Sequence, residues 1–189
     1  MSKRLFDLVL AITGFIVIAP IGFVCMVVIR LTSSGPSLFR QERLGQHQVP
    51  FILYKLRTMQ SSAPAMPTHL SDPAFITPIG RVLRRCKLDE LPQLWNVIRG
   101  DMSLVGPRPC LPTQCSLIEA RAKAGAFNVR PGITGLAQVQ GIDMSRPEQL
   151  AEIDGLYAHS RTLKGDVKIL LLTLTGRGLG RDPVIRDLE

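Results

Sequence analysis

Aromatic residues are scarce: they make up 5% of the 189, and Trp95 is the only tryptophan. Basic residues interleaved with aromatics are missing, as is any nucleic-acid-binding motif, so no nucleic acid is expected as a partner. Histidine is nearly absent, and neither His47 nor His69 has partners at metal-ligand spacing; His159 reads as a surface residue late in a helix. The four cysteines (Cys25, Cys86, Cys110, Cys115) form no CxxC pair. They read as reduced thiols in a cytosol-facing protein without structural zinc. Acidic residues are outnumbered 15 to 23, giving a net charge of +8 and a pI near 9.9. That balance suits an anionic membrane surface or phosphorylated substrates. There are no internal repeats.

Charge is also missing from one long run. Residues 8–29 hold 22 positions without a charged side chain, flanked by Lys3, Arg4 and Asp7 before and Arg30 after. The run is long enough to span a bilayer. It is too long for a signal peptide, and no clear small-residue cleavage site follows it. Three forms remain open: a spanning anchor, a buried helix, or a hairpin that enters and leaves on one face. Pro20 sits mid-run, with Gly14 and Gly22 nearby, and proline kinks a helix. Both flanks are basic, so the positive-inside bias places neither one outside. A re-entrant helix–break–helix meets both observations.

The chemistry-bearing stretch is residues 87–109. Leu91, Leu94, Trp95 and Ile98 recur as one helical face, and Gly100 follows as a stop. Pro92 places the helix start near Leu91 or Pro92. Asp89 and Glu90 then lie at the helix N-terminus, where carboxylates and phosphate are both favoured. Asp89 reads either as a cap or as a catalytic acid. Upstream, Arg81, Arg84, Arg85 and Lys87 concentrate positive charge. Downstream, Arg108 sits between Pro107 and Pro109. Flanking prolines lower the entropy cost of placing a guanidinium, whose planar fork suits phosphate. A rigid surface loop with a solvated arginine is the other reading.

Asp89-Glu90 and its helix, Gly100-Asp101-Met102-Ser103, Val105-Gly106-Pro107-Arg108-Pro109 and Arg130-Pro131-Gly132-Ile133-Thr134-Gly135 together resemble the bacterial sugar transferase family. These are the small monotopic polyprenyl-phosphate phosphoglycosyl transferases. They initiate O-antigen (lipopolysaccharide), capsule, exopolysaccharide and glycoprotein glycan assembly. The resemblance runs from about residue 3 to about residue 172. It implies the re-entrant anchor, although Ala19-Pro20 stands where family members often carry Ser-Pro. It implies an α+β fold, mostly helical: a membrane anchor over residues 1–31 on a cytoplasmic catalytic domain over 32–189, with a short β-hairpin and interfacial helices. The location implied is the cytoplasmic face of the bacterial inner membrane.

Other segments fit around that stretch. Residues 38–41 and 50–57 flank Gly45 and read as short strands, a hairpin. Lys55 and Arg57 share one strand face, either a basic face near phosphates or a charged edge. The Lys55 to Met59 run matches a family element. Residues 61–78, rich in Ser, Thr and Pro, read as a long loop. Residues 111–127 read as helical, with Glu119, Arg121 and Lys123 solvated. The glycines of residues 128–141 permit close backbone approach to a ligand. Pro147 is placed to open a helix on which Leu150, Ile153, Asp154 and Tyr157 share a face. Asp154 and Tyr157 match the family's Asp-x-x-Tyr element. Residues 167–174 read as a core or interfacial helix, and residues 176–189 as a frayed tail.

The resemblance implies transfer of a sugar 1-phosphate, by default HexNAc-type, from a UDP-sugar to polyprenyl (undecaprenyl) phosphate, with UMP released. It assigns Asp89 as nucleophile and Mg²⁺ ligand, and Glu90 to orient the metal or assist proton traffic. Lys55, Arg57, Arg84, Arg108 and Arg130 are the expected substrate contacts. Membrane lipid is an expected partner; a homo-oligomer is left open. Two rivals stand beside this reading. A glycosyl transferase releasing UDP would be expected to carry a separated Asp-x-Asp motif, which adjacent Asp89-Glu90 is not. A lipid-binding scaffold explains the charge but not the dyad.

Overall fold

The computed structural model describes residues 2–63 and 73–176. Residues 64–72 of the loop expected over 61–78, and residues 177–189 of the expected tail, lie outside those residues. The described chain is mostly helical α+β, and it forms two compact units. One comprises Met1–Glu42 and Ile52–Gly100, the other Arg43–Phe51 and Asp101–Glu189.

The first unit is built on helix α1 (Lys3–Thr32). Ser2 caps it, and its 30 residues give a length of about 45 Å. Its most apolar window has a mean hydropathy of 2.7, so it is long and apolar enough to cross a membrane. Large apolar side chains are exposed around it, Ile16, Val17, Phe23 and Val24 among them. The helix runs unbroken through Pro20, although a break was expected there. Proline forfeits one backbone hydrogen bond but keeps a helical φ, so the turns on either side can continue.

Both ends of α1 dock on the same unit. Near the start, Arg4 donates to the carbonyls of Val97 (2.7 Å) and Ile98 (3.1 Å) at the end of α3 (Gln93–Arg99). Carbonyls at a helix end are short of partners, and a cation there is favoured. Near the finish, Ile29 packs with Leu56 and Leu83, flanked by Cys25, Met26, Ile79 and Leu88. Leu83 comes from α2 (Pro78–Arg85), which opens on a Thr77 cap with Pro78 in its first turn.

Strands β1 (Leu38–Leu44) and β2 (Pro50–Leu56) pair as the two-stranded sheet expected around Gly45. Beside them, α3 departs from the expected pattern. Its buried positions are Gln93, Asn96 and Val97, whereas Trp95 is 46% exposed. Asn96 accepts from the Tyr54 N–H (3.1 Å) and donates to the Ile52 carbonyl (2.7 Å) of β2. A strand edge needs polar partners, so an amide faces inward. The leucine–tryptophan stripe turns instead toward α1, where the Phe15 and Trp95 rings stand 6.2 Å apart. It lines an apolar groove of about 260 Å³ with Ile18, Ala19, Gly22 and Met26.

In the second unit, β3 (Ser103–Val105) pairs parallel with β4 (Gly132–Thr134), Ser103 opposite Gly132 and Val105 opposite Thr134. The extended run expected after Thr134 stops there: α5 (Leu136–Val139) is a short helix. Helices α4 (Cys115–Lys123) and α6 (Pro147–Ser160) pack together, burying Leu117, Leu150, Ile153 and Tyr157. Pro147 opens α6 as expected. Helix α7 (Leu163–Thr175) buries Asp166 and Ile169 and exposes Val167, Leu171 and Leu174.

Candidate active site

Asp89 and Glu90 lie in a 3₁₀ turn, Leu88–Glu90, entered through Lys87 at φ 55°, ψ 21°. A non-glycine residue in that left-handed region is strained, and such strain gathers at functional sites. The cap reading of Asp89 fails. The residue at the N-cap of α3 is Pro92, and no side chain caps it. Asp89 is instead 8% exposed. Burial pushes its carboxyl above the usual range, Lys55 pulls it back, Glu90 adds to the rise, and Arg84 pulls it back again.

The cations at this turn are held in place. Lys55 Nζ is 2.8 Å from Glu90 Oε1 in a part-buried ion pair. Arg84 donates through Nε to Thr58 Oγ1 at 2.9 Å. Four of the expected site residues, Asp89, Glu90, Lys55 and Arg84, are thus brought together. Arg57 is placed differently. It lies just past the end of β2, and its Nη2 donates to the Ser33 carbonyl (2.9 Å) and hydroxyl (2.7 Å). There it fastens the end of α1 to the segment after β2.

Arg108 and Arg130 belong to the second unit. Their two loops are cross-braced. Gly132 N–H donates to the Pro107 carbonyl (2.9 Å), and Gly106 N–H to the Thr134 carbonyl (2.9 Å). A Cβ on Gly106 would collide with the Arg130 carbonyl, and one on Gly132 or Gly135 with the Gly106 backbone. Of the glycines expected to admit a ligand, Gly132 and Gly135 therefore admit the facing backbone of this same chain.

The carbonyls from Val105 to Cys110 show what else holds the arginine loop. Val105 accepts from Tyr157 Oη (2.9 Å), Arg108 from Arg121 Nη1 (2.8 Å) and Pro109 from Arg43 Nη1 (3.0 Å). Cys110 accepts from the Leu44 N–H (3.0 Å). Pro107 and Pro109 have no N–H to satisfy, so paired carbonyls leave the loop little freedom. Burial, with Arg108 beside it, brings the Arg43 guanidinium down to about 10.

Arg121 is the residue sequence reasoning misplaced. Expected in solvent, it is 2% exposed. Its Nη2 and Nε reach Asp154 Oδ2 at 2.5 and 2.9 Å. Burial raises the Asp154 carboxyl, and the Arg121 charge and hydrogen bonds counter that rise. Tyr157 Oη also lies 2.8 Å from Asp166 Oδ1, so its one proton is shared between that carboxylate and the Val105 carbonyl. The Asp-x-x-Tyr element is therefore scaffold for the arginine loop. Its one signal in the sequence was an aspartate on an otherwise apolar helix face, which requires a cation.

No cluster of three or more His, Cys, Asp or Glu gathers for a metal among the described residues. Two adjacent carboxylates, one tied to a lysine, do not form a closed cage. They fit Mg²⁺, which takes one or two protein carboxylates and completes its shell from substrate phosphates and water.

A carboxylate pair among cations, on a unit carrying a long apolar helix, is the arrangement of a membrane-associated phosphoryl-transfer enzyme. The chain matches the family described as bacterial sugar transferase over residues 1–177 and belongs to that family. It is 41% identical over 172 residues to the uncharacterized sugar transferase EpsL of Bacillus subtilis, covering 91% of this chain and 85% of that protein. It is 40% identical over 185 residues to a UDP-glucose:undecaprenyl-phosphate glucose-1-phosphate transferase of Caulobacter vibrioides, covering 92% and 68%. The exopolysaccharide production protein ExoY of Sinorhizobium fredii is 34% identical over 198 residues, covering 95% and 87%.

Proposed function

We propose that this enzyme transfers a sugar 1-phosphate from a UDP-sugar to polyprenyl phosphate, releasing UMP, as the first membrane step of a surface glycan. The observation that carries this reading is the buried Asp89 beside Glu90, Lys55 and Arg84. The Caulobacter relative is named for undecaprenyl phosphate and for glucose 1-phosphate. Its name gives the HexNAc-type default no support, so UDP-glucose is the donor to try first.

In the proposed reaction an Asp89 carboxylate oxygen attacks the sugar-bearing phosphorus. The bridging P–O bond to UMP breaks, leaving an aspartyl phospho-sugar. An oxygen of polyprenyl phosphate then attacks the same phosphorus, freeing the carboxylate and forming the polyprenyl-diphosphate sugar. Both steps bring anions together, so positioned cations carry much of the catalysis. Lys55, Arg84, Arg108 and Arg130 are proposed phosphate contacts, and Glu90 is proposed to assist proton traffic. Arg57 is retained as a contact only if it leaves Ser33. Mg²⁺ held at Asp89 would supply charge neutralisation on the phosphate oxygens.

Residues 1–31 are proposed as the anchor and 32–189 as the catalytic part, on the cytoplasmic face of the inner membrane. The docking of both ends of α1 on one unit supports holding both ends on one membrane face, although the helix continues through Pro20, where the re-entrant form needs a bend. A spanning helix would carry one of those docked ends to the far side.

The test gives detergent-solubilised protein Mg²⁺, undecaprenyl phosphate and a panel of UDP-sugars, UDP-glucose and N-acetylated sugars included. UMP formed only with acceptor present is the expected product. UDP in its place would reassign the chain to glycosyl transfer.

A further inference from the structure

Two amides stand three residues apart on the buried side of α3, and only one is fully used. Asn96 has both ends of its amide bonded to β2. Gln93 is 2% exposed, and its Nε2 is buried without a hydrogen-bond partner. A buried donor left without a partner costs stability. Apolar side chains of similar volume would avoid that cost, so the amide's retention asks for a partner that arrives from outside.

Its position says which partner. The backbone stays right-handed helical through Leu91 (φ −53°, ψ −40°) and Pro92 (φ −62°, ψ −16°). Asp89, Gln93, Asn96 and Val97 are the buried positions of this stretch, so Gln93 shares the inward side with Asp89. It is absent from the apolar groove that Leu91, Pro92, Leu94 and Trp95 line, so it belongs to the polar side of the helix. The nearby cations are already engaged, Lys55 by Glu90 and Arg84 by Thr58.

We propose that Gln93 is a further substrate-binding residue, whose terminal amide donates to a phosphate oxygen of the nucleotide-sugar donor at Asp89. This rests on the phosphoglycosyl transfer reading above. The neutral donor adds a directed hydrogen bond where another cation would over-stabilise the carboxylate and dull the nucleophile.

Gln93→Met keeps the volume and removes the donor; Gln93→Glu keeps the shape and reverses the polarity. With UDP-glucose and undecaprenyl phosphate, Gln93→Met is expected to lower kcat/KM for the donor by about 10- to 100-fold. Its melting temperature should stay level or rise, and the acceptor KM should not change. Gln93→Glu should lose more, because it sets a third carboxylate against the phosphates. A binding measurement that needs no turnover completes the test: within Asp89→Asn protein, Gln93→Met should weaken the thermal shift induced by UDP-glucose. Wild-type kinetics in Gln93→Met, or a loss of activity matched by a fall in melting temperature, would overturn the proposal. Absence of UMP from wild-type protein with every donor would overturn the transfer reading itself, and this contact with it.

Discussion

Two buried aspartates separate the two units of this enzyme. Asp154 is enclosed with Arg121, which gives it two hydrogen bonds, and burial and pairing pull its titration in opposite directions. Asp89 is also buried, but it forms no ion pair with a described residue. Of the cations that act on it, Lys55 is bound to Glu90 and Arg84 to Thr58. A buried charge that is answered is part of the frame, since removing its partner strands it. A buried charge whose neighbouring cations are bound to other groups costs stability, and it is available for reaction. Scaffold and chemistry are thus told apart by compensation, not by burial.

The sharpest way to break the comparison is to neutralise each aspartate. Asp89→Asn should lower acceptor-dependent UMP release by at least about 10³-fold, equivalent to ~4 kcal/mol in the barrier. No phospho-sugar should be captured on that protein. Retained turnover would reject Asp89 as nucleophile. Folding should not suffer, because the substitution removes a buried charge and keeps the shape.

The opposite pattern is expected in the other unit. Asp154→Ala leaves Arg121 charged, buried and unpaired, at a cost of about 3–5 kcal/mol in stability. Thermal melts in detergent should show a fall of many degrees. Activity should fail only as the fold fails or as the Arg108 loop loosens. A fall equivalent to less than ~1 kcal/mol would mean the pair is not the frame it resembles.

Tyr157→Phe asks the same question more gently. It removes the hydroxyl bridging the Val105 carbonyl and Asp166, both buried. A loss of about 1–3 kcal/mol is expected, with the donor KM rising as the Arg108 loop gains freedom. An unchanged melting temperature would show that the bridge is dispensable.

How far the sequence could foresee this contrast depended on the range of each signal. The apolar run, the Gly100 stop, the strands around Gly45 and the dyad are local patterns, and the structure carries all of them. Arg121 was unreadable because its partner lies 33 residues away, and an arginine among alanines on a helix looks solvated. The Leu91–Leu94–Trp95–Ile98 stripe reads as one helical face, and its periodicity does not say what that face covers. The backbone edge of β2 claimed the other side of α3 through Asn96. The glycines of residues 132–135 were read toward a ligand because nothing local marks Gly106 as the facing chain.

A smaller effect bears on the entry to the dyad. Lys87 holds a left-handed backbone conformation that favours glycine. Lys87→Gly should relieve strain and gain up to about 1 kcal/mol, offset in part by a more flexible unfolded chain. Calorimetry would detect that gain, and a clear loss would mean that the lysine side chain itself stabilises the turn.

The smallest effect comes from the titration of Asp89. Its folded pKa is raised above the ordinary value of 3.8, chiefly by burial. The folded state therefore binds the proton more tightly than the unfolded chain, and ionised Asp89 is a destabilising group. Its penalty is absent below the unfolded value, grows as pH rises between the two, and is complete above the folded value. Asp89→Asn should accordingly melt higher than wild type near neutral pH, and the gap should close as the pH is brought down toward 3.8. The Asp154 carboxyl is raised as well, with Arg121 opposing the rise by charge and hydrogen bonds, so Asp154→Asn tests whether that pairing outweighs burial. Melting curves for both variants across that range would test the contrast directly, and a neutral-pH loss of stability in Asp89→Asn would mean that Asp89, too, is answered by its surroundings.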